Sequence, residues 1–212
     1  MSLPPSPAAK LPRIDGRRLR SERTRQVIME AYIALLREQP EIPTAAEIAV
    51  RAGISTRSVF ERFDDLQSLS LATVDYAFTV GDAQAVMRNL DGDRPLRLKS
   101  HVEMRAGTCE RWLPLWRVVI ANQGKLGELK ERIGFIRQVV VKRIELMYQP
   151  ELSTLAEGER RDLLIALEAL TDFESWGRMR EIHGLSFDDA CSLWVRVIDR
   201  LLPPTPASGH GR

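Results

Sequence analysis

Cysteine and histidine are scarce in this chain, with two and three copies in 212 residues. Cys109 and Cys191 cannot build a disulfide framework, and both fall in apolar helical patterns as small core residues. His101 has no carboxylate, cysteine or second histidine at ligand spacing, His183 reads as a helix-terminus residue, and His210 lies in the tail. No metal site and no cofactor are expected. There is no Gly-rich phosphate loop and no nucleophile–base pair, so the sequence does not read as an enzyme. No period-two alternation runs longer than four residues, which argues against a sheet. No stretch approaches the roughly 20 uninterrupted apolar residues that cross a bilayer. The opening MSLPPSPAAKLPR lacks the apolar segment of a secretory signal. Together these absences set the expectation of a cytoplasmic, reduced protein without a membrane partner.

What is present is helical periodicity. Hydrophobic content of 44% and charged content of 28% are ordinary for a soluble globular chain. Residues 1–16, rich in Pro, Ser and Ala, read as a flexible arm. A helix is expected over residues 18–38, closed by Pro40 and Pro43. A long helix is expected from Leu66 toward about Leu90, then a DGDRP turn. Further helices are expected over residues 96–108, 112–122, 126–148, 157–182 and 187–202, with Pro114 in the first turn of the second and Pro150 stopping the third. Ser186 should cap the last helix, and Pro203 and Pro204 should end it ahead of a disordered tail at 203–212. The fold class is all-α, with a head at 17–65 and a helical body at 66–202.

The most informative stretch is residues 44–65, TAAEIAVRAGISTRSVFERFDD. Ala49, Gly53 and Val59 stand at the spacing of a helix-turn-helix unit. Ala49 lets two helices approach, and Gly53 suits a turn that needs positive φ. Ile48, Ile54, Val59 and Phe63 supply the closing apolar faces. Thr44 and Ser55 are placed to N-cap the two helices. The outward face of the second helix is expected to carry Thr56, Arg57, Ser58 and Arg62, residue types that bond base edges and phosphates. Just upstream, residues 10–25 hold seven basic and two acidic side chains, a local excess suited to phosphates. At the other end, Leu163, Leu167, Leu170, Phe173 and Trp176, then Trp194, Ile198 and Leu201, offer more apolar surface than one helix pair can bury. Two copies could close a four-helix bundle there. Dimerisation also follows from the DNA argument, because one short helix reads too few base pairs; two heads would meet a pseudo-palindrome.

These residues resemble the TetR family of bacterial transcriptional regulators. The likeness is most specific at residues 44–69, where Gly53-Ile54-Ser55, Ser58, Phe60 and Phe63 match the family's turn, small residue and paired aromatics. Phe173-Glu174-Ser175-Trp176 and the final helix are similar to its dimerisation end. The resemblance implies a head that binds double-stranded operator DNA, a homodimer, and a body that holds a small apolar effector modulating operator affinity, with repression the expected sign. It implies that Thr44, Ser55 and Phe60 also approach the DNA backbone. Two departures thin that contact set: Phe60 replaces the usual Tyr and cannot donate, and Leu66 stands where Lys is common. Met104, Trp112, Trp116, Phe135, Met147 and Tyr148 lie on the helices that form the family's ligand pocket. His101, Glu103, Arg105 and Asn122, on those same helices, are polar groups able to orient a ligand. The alternative is a structural or nucleoid DNA-binding protein without ligand control.

Overall fold

The computed structural model describes residues 16–39, 41–122 and 127–207. Every regular element among them is a helix. The expected arm at 1–15, with Lys10 and Arg13 of the basic run, Pro40, and the end of the tail at 208–212 lie outside the described residues. Three helices make the head: α1 (Gly16–Glu38), α2 (Ala45–Ala52) and α3 (Thr56–Phe60). Each start and stop has a local cause. The Thr44 hydroxyl accepts from Glu47 N and the Glu47 carboxylate accepts from Thr44 N at 2.7 Å, a reciprocal capping box. Gly53 ends α2 at φ 67°, a left-handed conformation that costs a residue without Cβ little. Ser55 Oγ then accepts from Ser58 N and opens α3. Ile28, Tyr32 and Leu36 of α1 bury themselves with Ile48, Ala49, Val59 and Phe63, so a five-residue helix that would not persist alone is held by packing.

The body follows as α4 (Leu66–Gln84), α5 (Arg94–Asn122), α6 (Gly127–Met147), α7 (Gln149–Leu152), α8 (Glu157–Leu170), α9 (Phe173–Gly177) and α10 (Phe187–Leu201). Asp65 caps α4 by accepting from Ser68 N at 2.7 Å. This helix stops at Gln84 instead of reaching about 90. From Ala85 to Asn89 the chain has no regular structure, and Asn89 takes φ 58°, a conformation its short polar side chain tolerates. The two helices expected at 96–108 and 112–122 are one continuous α5 with Pro114 inside it. Leu113, Leu115 and Trp116 are buried around the proline, and that packing offsets the cost, roughly 3 kcal/mol, of an interior proline. Pro150 does not end the helical path but sits in the first turn of the short α7.

The single helix expected over 157–182 is broken. Thr171 turns its hydroxyl back to Leu167 O, and Asp172 caps α9 by accepting from Ser175 N at 2.6 Å. After α9 a π-turn runs over Arg178–Ile182. Residues 203–205, the start of the tail expected to be disordered, are held against the body. Arg94 donates to Asp199 Oδ1 at 2.7 Å and to the carbonyls of Leu202 and Pro203, and Thr205 donates to the Glu151 carboxylate. Among the described residues no helix is long and apolar enough to cross a membrane.

Two ionisable pairs lie deep in the body. Arg97 and Glu151, 2% and 0% exposed, form a bidentate ion pair, and Arg97 also donates to Met147 O at 2.7 Å. Burial by itself would raise the Glu151 carboxyl; hydrogen bonds from Arg97 and Thr205 outweigh it and hold it below its usual range. One turn along α5, buried His101 shares a 2.8 Å hydrogen bond with the Tyr148 hydroxyl. Burial, then the nearby charges of Arg105 and Arg143, push this imidazole down to about 3, so it stays neutral. The same burial pushes the Cys109 thiol up to about 11, which makes it an inert core residue.

Candidate nucleic-acid interface and body cavity

The outward side of α3 is short and well defined. Thr56, Arg57 and Phe60 are exposed, while Val59 between them is buried against α1 and α2. Arg57 is 89% exposed and its Nε donates to Glu61 Oε1 at 3.0 Å, one turn ahead on the same face. That pair is weak in water and easily exchanged for a phosphate or a base edge. Phe60, 49% exposed, lies on the same side and offers ring contact without a hydroxyl. Ser58 is half-buried, and its hydroxyl is hydrogen-bonded to Ser55 Oγ at 2.9 Å, so it belongs to the cap as much as to the surface. Thr44 and Ser55 are exposed at the two helix starts.

Arg62 departs from expectation. The helix ends at Phe60, so Arg62 stands in the following turn instead of on the helix. Its side chain is only 31% exposed, its Nε is buried without a hydrogen-bond partner among the described residues, and its carbonyl accepts from Arg25. Arg25 in turn lies 4.2 Å above the Phe63 ring, tying α1 to the end of α3. Two residues of basic type are thereby occupied within the head. Arg18, Arg20 and Arg23 remain exposed on the first turns of α1.

In the body, α4, α5, α6 and α9 enclose a cavity of about 80 Å³. Val74, Phe78 and Gly81 of α4 face Trp112 and Trp116 of α5, with Ile136 and Val140 of α6 and Phe173 of α9 completing the apolar wall. Trp116 stacks on Phe173 with centroids 4.7 Å apart. Gly81 makes a close approach to its neighbour: a Cβ there would stand 3.2 Å from Trp112 Nε1, so the indole would have to give by a few tenths of an ångström. Asp82, Arg105 and Arg143 are the charged lining residues. Of the six side chains proposed for a pocket, Trp112 and Trp116 line it. Phe135 is 55% exposed and touches it only through an edge contact with Phe78. Met147 and Tyr148 are buried in the Arg97–His101 cluster instead, and Met104 borders a neighbouring depression that shares Gly81, Thr108 and Trp112 with the cavity. Of the polar groups named for orienting a ligand, Arg105 lines the cavity; Arg143 and Phe173 were harder to find from sequence as lining residues, because they meet it only once α5, α6 and α9 cross.

Trp112 has a second neighbour. Arg37, at the end of α1, lies 5.7 Å over its ring and donates to Arg111 O at 3.4 Å. Burial lowers the Arg37 guanidinium below its ordinary value, and the like charge of Arg111 adds to it. One side chain therefore touches both the cavity and the head.

The residues proposed for a dimer face divide. Leu167, Phe173, Trp176, Trp194 and Ile198 are buried by their own chain. Trp176 donates its indole N–H to Glu110 of α5 at 2.6 Å, and Trp194 and Phe187 of α10 close on it at 5.0 and 5.4 Å. These side chains are core because α10 lays the middle of its apolar stripe on α5 and leaves only its end, at Leu201, uncovered. Leu163 and Leu170 are half-buried and Leu201 is exposed. On α8 the outward residues are Asp162, Ile165, Ala166 and Ala169, with Ile165 57% exposed.

No protein-family model matches the chain, and no curated protein sequence matches it. Solved structures do. A TetR-family transcriptional regulator from Streptomyces coelicolor superposes with a TM-score of 0.70 at 17% identity, over 85% of this chain and 80% of that one. A TetR-family regulator from Marinobacter aquaeolei VT8 gives 0.57 at 15% identity, over 87% and 98%. NalD, the secondary repressor of the MexAB-OprM multidrug efflux pump in Pseudomonas aeruginosa, gives 0.57 at 21% identity, over 87% and 98%. The chain has the fold of the TetR-family transcriptional regulators.

Proposed function

We propose that the protein is a homodimeric DNA-binding transcriptional regulator whose operator affinity responds to a small molecule in the body cavity. The observation that carries the reading is α3: a capped five-residue helix, braced from behind by Val59, with Thr56, Arg57 and Phe60 directed outward. Thr56 and Arg57 supply base-edge and phosphate bonds, and Phe60 supplies apolar contact with a thymine methyl or sugar. Thr44 and Ser55 present helix-start N–H groups to the backbone, with Ser58 supporting Ser55. Arg62 acts mainly by bracing the turn, so more of the electrostatic work falls to Arg57 and the exposed arginines of α1. Repression is the expected sign, as for NalD, which shares the fold.

Two copies pair through the outward face of α8, around Ile165, Ala166 and Ala169, with Leu201 of α10. Small residues beside one large apolar residue allow close helix approach across a two-fold axis. Ligand control runs from the cavity to the head through Trp112, Arg37 and α4. A ligand that binds one head spacing better than the other shifts the population between them.

The test is selection of binding sites from random duplex DNA with the full-length protein. Enrichment of a two-fold-related site, with half-sites one helical turn or a multiple apart, supports the reading. Retention without sequence enrichment contradicts it and identifies a structural DNA-binding protein.

A further inference from the structure

We infer that the body cavity takes an organic anion, a carboxylate on a small aromatic or acyl body, with Arg105 as its counter-charge. The inference rests on reading the cavity as an effector site and adds the chemistry of the ligand.

The inner face of α5 places Arg97, His101 and Arg105 at successive i, i+4 positions. The first is matched by the buried Glu151 carboxylate, and the second is hydrogen-bonded to Tyr148 and neutral. Arg105 is treated differently. It is 7% exposed, yet no carboxylate among the described residues lies within 4.0 Å of it. Its Nε donates to Thr171 O at 2.8 Å, and its guanidinium carbon stands 4.9 Å above the Phe173 ring, itself a cavity wall. A guanidinium carries five N–H donors in a planar fork suited to a carboxylate, and a buried cation without a counter-charge is costly. Arg143, which also lines the cavity, is already paired with Asp82 at 2.8 Å. The lining therefore carries one positive charge in excess. The rest of the wall is apolar and aromatic, so an inorganic anion would give up its water there for too few donors. An apolar body with one carboxylate satisfies both parts of the wall. A volume of about 80 Å³ in a cavity partly open to solvent admits a short acyl chain or the leading part of a ring, the remainder lying in its mouth.

The test titrates the full-length protein calorimetrically with benzoate, with hexanoate, and with the neutral isostere benzamide. Benzoate is expected to bind at least about thirtyfold more tightly than benzamide. Arg105→Met is expected to abolish that preference while leaving benzamide affinity within about threefold, and Arg105→Lys to retain part of it. Equal affinity for benzoate and benzamide overturns the inference. So does a preference that survives Arg105→Met, or the absence of saturable binding of both carboxylates up to about 10 mM. Should Arg105→Met not fold, the wild-type comparison of acid and amide still decides. Release from a selected duplex separates this inference from the reading beneath it. Carboxylate binding through Arg105 with no change in duplex affinity removes the effector role and leaves the anion site standing. Benzamide that binds as well as benzoate and releases the duplex removes the anion and leaves the effector role.

Discussion

His101 and Arg97 illustrate how buried polar residues are placed in this body. Arg97 keeps its charge because Glu151 meets it, whereas His101 gives up its charge and keeps a hydrogen bond. The imidazole has a measurable consequence. Its folded pKa is held near 3, below the 6.5 of a free imidazole, so below pH 6.5 the unfolded chain takes up a proton that the folded chain refuses. Stability is therefore flat above pH 6.5 on this account and falls as pH drops, by about 1.4 kcal/mol per unit from this residue. Glu151, held low, adds its own loss only below its ordinary value of 4.5. Between pH 6.5 and 4.5, denaturant unfolding of His101→Asn should show a flatter pH profile than wild type; identical slopes would contradict the assignment. Caps and the left-handed turn were legible in sequence, since Thr44, Gly53 and Ser55 act within four residues of their partners. Arg62 was not, because its surroundings are set by Arg25, 37 residues away.

Among the elements, α5 does the most. It runs through Pro114, carries the polar ladder of Arg97, His101 and Arg105, and takes α10 on one face. Its continuity could not be read from local signals: proline argued for a boundary, and burial on several sides overruled it. The reverse held at residues 157–182, where an apolar stripe suggested one helix and the Asp172 cap divides it. The end of α1 meets α5 at Arg37 and Trp112, a direct contact between head and cavity wall. Arg37→Ala should leave both duplex binding and ligand binding within about threefold while reducing the ligand's effect on duplex affinity by tenfold or more. Calorimetry with and without the selected duplex measures all three quantities. An unaltered ligand effect would show that the coupling does not pass through this contact.

For the whole molecule, the sequence pointed to a helical head and body and to a second copy, but not to which side chains would meet it. Trp176 and Trp194 looked like interface residues because hydrophobicity does not say whether a stripe is covered by its own chain or by another. The proposed face is therefore the outward side of α8 with Leu201 of α10, which their own chain leaves uncovered. Ile165→Glu is expected to convert the protein to monomers in sedimentation velocity without loss of helicity, and to weaken binding to a two-half-site duplex at least about a hundredfold. An Ile165→Glu protein that stays dimeric would place the interface elsewhere.

The proposed function rests on α3 reading DNA sequence. It is tested most directly by competition binding of wild type and of Thr56→Ala/Arg57→Ala to a selected duplex and its scrambled counterpart at one fixed salt concentration. Wild type should prefer the selected duplex by roughly a thousandfold or more. The double variant should lose most of that preference while retaining its affinity for the scrambled duplex within about tenfold. An unchanged preference in the double variant would contradict the account.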